Sequence, residues 1–174
     1  MMKGSCLPRP AAQGSPPDPM MNAKQRLLET VQTEIRSRLD RLSRAAREAH
    51  AAATDPGSKA ESKYDTRSLE ASYLAAGQAR QVEDMARDAE IFEQLTLPEF
   101  GVEDEIAAGA LVEVDIDGES AWYLLVPGGG GLTVEWEDRE VTLLTPSSAL
   151  YRTLLGMRMG ESSEDPELFV SEVM

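Results

Sequence analysis

The chain has 174 residues and a formal net charge of −14, from 31 acidic and 17 basic side chains. This negative charge argues against non-specific binding to nucleic acids or to an anionic membrane surface, because both require many Lys and Arg side chains. No apolar run approaches the length of about 20 residues that a transmembrane helix needs. The single cysteine, Cys6, excludes an internal disulfide. Together these features predict a cytoplasmic protein with one domain or two small ones.

The charge is divided unevenly along the chain. Residues 21–50 carry seven basic and four acidic side chains, whereas residues 97–174 carry three basic and seventeen acidic ones. Such polarisation is typical of two structural units. Residues 1–20 hold five of the ten prolines and therefore predict a disordered extension that precedes both units.

Two helical patterns predict an antiparallel coiled-coil hairpin over residues 21–96. In the first, apolar residues recur every three or four positions from Leu28 to Ala49, and no Pro or Gly interrupts the chain before Pro56. A second pattern follows the Asp-Pro-Gly turn and extends over about 61–95. Its clearest apolar positions are Val82, Met85, Ala89 and Phe92. Two long helices joined by one turn pack against each other through such seams.

Residues 97–174 change to strand patterning. Alternating or fully apolar segments, one of them ending at an Asp117-Gly118 turn, predict a small antiparallel sheet. The predicted strands are 110–116, 121–126, 132–136, 141–144 and 168–173. Residues 147–156 predict one short helix, with Ser147 or Ser148 as its N-cap and Gly156 at its end. The fold class of the whole chain is therefore predicted to be α+β.

The usual catalytic patterns are missing from the sequence. The four glycines at 128–131 are not followed by Gly-Lys-Ser/Thr, so a flexible hairpin loop is favoured over a phosphate-binding loop. His50 has no second His or Cys at ligand spacing, and the serines of residues 97–174 have no His to activate them. Carboxylates do gather around the predicted hairpin turn, at Asp55, Glu61, Asp65 and Glu70. These carboxylates either are simply solvated at the tip of the hairpin, or they allow the hairpin to deliver negative charge or a metal ion into a deep channel of a partner.

The segment TLLTPSSALYRTLLGMRMGE, residues 142–161, resembles the C-terminal signature of the Gre-type transcript-cleavage factors, GreA and GreB. The predicted tip is similar to the same family at Tyr73, Ala75 and Ala76. The resemblance implies that the residues matching the signature bind RNA polymerase. They are Ser148, Leu150, Arg152, Leu154, Leu155, Gly156 and Arg158.

The resemblance also implies a fold and a mode of action. Residues 97–174 would form a domain of FKBP-like shape, and the coiled-coil hairpin would enter the secondary channel of bacterial RNA polymerase. The tip acids Glu61, Asp65 and Glu70 would lie near the catalytic centre, where Asp65 and Glu70 would share a Mg²⁺ ion with the polymerase. Phosphodiester hydrolysis would belong to the polymerase, so this chain would be no enzyme itself. We expect a monomer without a stably bound cofactor, without a membrane and without sequence-specific DNA contacts.

Two activities stay open within this class, because Asp65 and Glu70 each lie one residue from the acid positions of the family. The tip acids either stimulate cleavage of backtracked RNA, or the hairpin occupies the channel and modulates transcription without cleavage. A rival from another class is a coiled-coil scaffold or adaptor that does not contact polymerase. A prolyl isomerase of FKBP shape is a further rival, which rests on fold analogy alone.

Overall fold

The computed structural model describes residues 23–54 and 67–174. The predicted extension over residues 1–20 and the acids Glu61 and Asp65 lie outside the described residues. Two long helices come first, α1 (Ala23–Thr54) and α2 (Arg67–Gln94). Within the described ranges, neither these helices nor any other is long and apolar enough to cross a membrane.

The two helices run antiparallel, because the first turns of α1 lie beside the last turns of α2. Gln32 Nε2 donates a hydrogen bond to the carbonyl oxygen of Phe92 at 2.7 Å, and Arg36 forms an ion pair with Glu93 at 3.3 Å. Further from this end, Arg38 and Asp84 line one groove between the helices. The predicted antiparallel pairing of the two helices is confirmed. The predicted turn after residue 54 lies outside the described residues, and supercoiling of the pair into a coiled coil stays a prediction.

The large buried side chains of the hairpin cluster at its base, where α1 begins and α2 ends. Leu27, Val31, Ile35 and Phe92 are each no more than 1% exposed. The buried seam of α1 therefore passes through Leu27, whereas the sequence pattern placed it at Leu28, which is only half-buried. Nearer the turn, small side chains line the groove between the helices, among them Ala46, Ala75, Ala76 and Ala79. Burial of apolar area thus stabilises the base far more than the distal half.

Residues 97–174 contain six strands and one short helix. The strands are β1 (Leu111–Ile116), β2 (Glu119–Leu125), β3 (Thr133–Trp136), β4 (Arg139–Leu144), β5 (Ser162–Glu164) and β6 (Glu167–Val173), and the helix α3 (Ala149–Leu154) lies between β4 and β5. Each predicted strand and the predicted short helix are present. The three residues of β5 were missed, because Ser-Ser-Glu carries no apolar alternation.

The sheet is mixed, so the prediction of an antiparallel sheet is wrong. Its strand order is β3-β4-β2-β1-β6-β5, and β2 and β4 run parallel, with Trp122 opposite Val141. The other four pairings are antiparallel. β4 lies directly beside β2, so β3 pairs with the other edge of β4 and forms the end of the sheet. Residues 126–132 therefore cross from β2 to the sheet edge, and the prediction that the four glycines close a hairpin is also wrong.

Apolar side chains cover both faces of the sheet, because neighbouring residues on its central strands point to opposite faces. On one face, the hairpin base packs on Leu111, Trp122, Leu124, Val134, Trp136, Val141 and Leu143. On the other face, Tyr151 and Leu154 of α3 pack in a cluster with Val112, Val114, Leu125, Leu168 and Val170. The base of the hairpin and the sheet thus share one apolar core, although the predicted domain boundary lies between residues 96 and 97.

The glycine-rich segment packs closely against α2, in contrast to the flexible loop predicted for it. Gly129 N–H donates to Asp88 Oδ1 at 3.0 Å. A Cβ atom on Gly128 would lie 2.6 Å from the same carboxylate oxygen, and one on Gly129 would lie 3.2 Å from Phe92 Cε2. Gly129 combines this close approach with a φ of +69°, so glycine is strongly favoured there, whereas a side chain at Gly128 would have to displace the Asp88 carboxylate.

Replacing Gly129 with alanine is expected to lower the free energy of unfolding by about 2–3 kcal/mol. The backbone of Gly129 has a φ of +69°, and an added methyl group would meet Phe92 and Leu143 in the core. Gly131 is the matched control, because its φ is +79° and an added Cβ would meet nothing within 4 Å. Gly131→Ala should therefore lose only about 1 kcal/mol. Equal losses in urea unfolding would contradict the close packing of Gly129.

Candidate functional site

The residues that match the Gre signature lie in one continuous segment, which consists of the N-cap of α3, the helix and the turn after it. Ser148 occupies the N-cap position with an extended backbone, as predicted, but its side chain makes no capping hydrogen bond. Its N–H donates to the carbonyl oxygen of Thr145 at 2.8 Å, and the hydroxyl groups of Thr145 and Ser147 are 2.8 Å apart. These bonds fix the start of the helix relative to the end of β4.

The end of α3 is held by backbone hydrogen bonds to Ile106, which lies in the segment between α2 and β1. Gly156 has a φ of +85° and donates to the carbonyl oxygen of Ile106 at 2.8 Å, while Ile106 N–H donates to the carbonyl oxygen of Met157 at 2.7 Å. Glycine suits this position because it adopts a positive φ without strain. Leu154 is completely buried, whereas the next residue, Leu155, is 50% exposed. The turn therefore exposes one apolar side chain, that of Leu155, to solvent.

Two arginines flank this exposed leucine in the chain. Arg152 is exposed on α3. Arg158 forms a 2.6 Å ion pair with Glu105, and its backbone N–H donates to Glu161 Oε2 at 2.9 Å. The seven predicted residues thus divide by role. Leu154 and Gly156 maintain the turn, Ser148 and Leu150 are half-buried, and Leu155, Arg152 and Arg158 are available to a partner. An exposed leucine with adjacent cations suits a partner surface that combines an apolar spot with acidic side chains.

The hairpin tip is described only from its α2 side. Glu70 is exposed in the first turn of α2, where a negative charge is favourable near the helix N-terminus. The next turn exposes two large apolar side chains, Tyr73 at 71% and Leu74 at 60%. Across residues 23–54 and 67–174, no group of three or more His, Cys, Asp or Glu side chains is arranged to hold a metal ion. The Mg²⁺ assignment to Asp65 and Glu70 stays a prediction.

A buried lysine at the base of the hairpin was missed from the sequence. Lys24 is 3% exposed, and its Nζ donates to the carbonyl oxygens of Pro98 and, at 2.9 Å, Met174. It also lies 4.8 Å from the ring centroid of Phe100. Burial lowers the pKa of Lys24 to about 8, although the charge of Glu99 acts in the opposite direction. The sequence did contain a signal for this burial, because Lys24 lies three residues before Leu27 and seven before Val31, and this spacing places it on the buried face of α1.

Part of the positive charge on α1 is neutralised within the helix. A hydrogen bond from Arg38 Nε at 2.8 Å, supported by Arg41 at 3.2 Å, holds the pKa of the Glu34 carboxyl below its usual range. Arg44 and Arg47 lie further along the helix and are exposed. The exposed acids Asp40 and Glu48 lie on the same part of the helix, so the distal half of α1 carries charges of both signs.

Known proteins offer a distant likeness. No protein-family model and no curated protein sequence matches the chain. It is similar to the crystal structure of GreA factor homolog 1 (Gfh1) of Thermus thermophilus, with 18% identity, a TM-score of 0.32, and coverage of 82% of this chain and 94% of that one. For Thermus aquaticus Gfh1 the values are 19%, 0.30, 87% and 94%. For a further structure of the transcription factor Gfh1 they are 17%, 0.34, 83% and 93%. Likeness at these TM-scores establishes neither a family nor a function for the chain.

Proposed function

We propose that this chain is a transcription factor that binds bacterial RNA polymerase at its secondary channel. The observation that carries the proposal is the coincidence of the Gre-like signature with one built surface. Gly156 and the buried Leu154 maintain a turn, and this turn exposes Leu155, which lies between Arg152 and Arg158 in the chain. The hairpin supports the same proposal, because its base is fixed in the core of the sheet while its distal end extends away as an antiparallel pair.

Retention of purified RNA polymerase by the immobilised full-length chain tests the docking surface. Leu155→Asp should weaken retention about tenfold or more, because it would replace an apolar contact with an unpaired charge buried at the interface. Val102→Asp is the matched control, since Val102 is 64% exposed in the same domain but lies outside the signature. If the original chain retained no polymerase, or if Leu155→Asp and Val102→Asp retained equal amounts, the proposal would be overturned and a scaffold role would be favoured.

The role of Arg158 needs a separate control, because this residue is already paired with Glu105. Arg158→Ala removes both the ion pair and any contact with polymerase, whereas Glu105→Gln removes only the pair. We expect Arg158→Ala to weaken retention and Glu105→Gln to leave it intact. Equal weakening would assign the effect to the structure of the turn.

A backtracked elongation complex with labelled RNA distinguishes the two activities. Shortening of the RNA on addition of this chain, lost in the Asp65→Ala/Glu70→Ala variant, would establish stimulated cleavage by the tip acids. Binding without shortening would establish occupancy of the channel. Cleavage that survives in the variant would show that the tip acids have been assigned wrongly.

A further inference from the structure

Two partly buried polar contacts, well apart from each other, hold the hairpin to the rest of the chain. Near the start of α1, Lys24 Nζ donates to the carbonyl oxygens of Pro98 and Met174. On α2, the carboxylate of Asp88 accepts a hydrogen bond from the backbone N–H of Gly129 at 3.0 Å. Partial shielding from water makes such hydrogen bonds stronger than they would be on an exposed surface.

These two contacts lie at different heights along the hairpin. The hydrogen bond between Gln32 and Phe92 marks one common height on α1 and α2. Lys24 lies eight residues from this height towards the base, and Asp88 lies four residues from it towards the tip. The helical rise then separates the two contacts by about 18 Å along the helix axes. Because apolar burial is non-directional, polar contacts this far apart determine the direction in which the hairpin points.

The glycine-rich segment accommodates the Asp88 carboxylate at close range. Gly128 is buried, and a Cβ atom on it would lie 2.6 Å from Asp88 Oδ1 and 3.2 Å from Ile91 Cδ1. Further along the same segment, a Cβ atom on Gly130 would lie 2.8 Å from Thr145 Oγ1. The segment is therefore packed both against α2 and against the residue that follows β4.

Thr145 continues the connection to α3. Its carbonyl oxygen accepts a hydrogen bond from the N–H of Ser148, the N-cap of that helix, and its hydroxyl lies 2.8 Å from that of Ser147. Contacts thus run from Asp88 through the glycine-rich segment and Thr145 to the start of α3. This helix and the turn after it carry the exposed Leu155. The hairpin and the candidate docking surface are therefore joined by consecutive short-range contacts.

We infer that Asp88 is a positioning residue, which fixes the direction of the hairpin relative to α3 and the turn that follows it. The inference rests on the proposed function, because this direction matters when one partner receives both the hairpin and the turn. About 30 Å separates Asp88 from the first residue of α2, Arg67, so a tilt of about 10° at Asp88 moves that end by about 5 Å. Two linked contacts that are misaligned in this way lose effective concentration for each other.

Distances between two spin labels on the full-length chain test the inference. The labels are attached to Tyr73→Cys near the tip and Glu135→Cys on β3, both of them exposed positions, in a Cys6→Ser background. Asp88→Ala should broaden the distribution of this distance or shift its centre by about 5 Å or more. Asp88→Asn should leave the distribution unchanged, because the amide oxygen accepts the same hydrogen bond.

Asp84 provides the matched control, because it is exposed on the preceding turn of α2 and pairs with Arg87 at 3.1 Å. Asp84→Ala should leave the label distance unchanged. A second label pair, Glu48→Cys with Tyr73→Cys, lies within the hairpin and should be unaffected by Asp88→Ala. An unchanged tip distance in Asp88→Ala, equal broadening in Asp84→Ala, or broadening within the hairpin pair would each overturn the inference.

Gly128→Ala disrupts the same hydrogen bond from the other partner and serves as the second variant if Asp88→Ala fails to fold. The added methyl group would displace the Asp88 carboxylate, so this variant should also broaden or shift the tip distance. In the double variant the two effects should not add, because both changes break one contact. Fully additive effects, or a tip distance that Gly128→Ala leaves unchanged, would contradict the role given to this hydrogen bond.

Retention of RNA polymerase by the immobilised chain separates this inference from the proposed function. Asp88→Ala should weaken retention about three- to tenfold through the lost alignment, and Asp88→Asn should restore it. An original chain that retains no polymerase would overturn the proposed function, and this inference with it. Retention by the original chain that Asp88→Ala leaves unchanged would overturn this inference alone.

Discussion

Replacing Phe92 with alanine is expected to lower the free energy of unfolding by about 3–5 kcal/mol, the usual range for a phenylalanine truncated in a closed core. Phe92 belongs to α2 but is completely buried in the cluster that includes Val31 of α1 and Leu124 and Leu143 of the sheet. Its loss would therefore open a cavity at the point where the hairpin joins the sheet. Urea denaturation monitored by circular dichroism measures the change.

The same experiment tests whether the hairpin base and the sheet unfold together. Because they share one cluster, we expect a single transition in the original chain and a lower midpoint in Phe92→Ala, when helix signal and tryptophan fluorescence are followed in parallel. Tyr73→Ala is the control, since this side chain on the same helix is 71% exposed and should change stability by less than about 0.5 kcal/mol. A loss below about 1 kcal/mol for Phe92→Ala would contradict the shared core.

The helices and most strands could be predicted because their periodicity is local. Three- and four-residue steps marked α1 and α2, and the turn at Asp117-Gly118 marked the β1–β2 hairpin, which the structure confirms. Strand neighbours are not encoded locally, so the parallel pairing of β2 with β4 was missed. One signal was present, because the run of residues 121–126 is apolar at almost every position, as is typical of a strand covered on both faces.

The candidate site was predictable to the extent that it is continuous in sequence. The serines at 147 and 148 and the glycine at 156 located α3 and the turn after it, and the Gre-like signature falls on the same segment. Which residues of the segment face a partner depends on the packing of α3, and only the structure separates Leu155 from its buried neighbour Leu154.

Lys24→Met is expected to destabilise the fold at neutral pH by about 1–2 kcal/mol, because the carbonyl oxygens of Pro98 and Met174 both lose their donor. Methionine retains the length and much of the apolar stem of lysine, so the change isolates the amine. Arg26→Met on the same turn is the control, since that side chain pairs with Glu137 at the surface and makes a smaller contribution.

The stability difference between the original chain and Lys24→Met should depend on pH in a defined direction. The pKa of Lys24 is about 8 in the folded chain, against 10.5 for an ordinary lysine. Below pH 8 the amine is protonated in both states, so the difference is constant. Between pH 8 and 10.5 the unfolded chain binds the proton that the folded chain has released, so the folded state of the original chain gains stability as the pH rises.

This gain should reach about 3 kcal/mol by pH 10.5, since each pKa unit corresponds to about 1.4 kcal/mol. The neutral amine still donates to both carbonyl oxygens, so the two hydrogen bonds persist while the unfavourable burial of charge disappears. Other groups titrate alike in both proteins and cancel in the difference. Urea denaturation at pH 7, 9 and 10.5 measures it for both proteins. A difference that stays constant with rising pH would show that the pKa of Lys24 is unchanged by folding, and a difference that narrows would show that folding raises it; either result would contradict the burial of this amine.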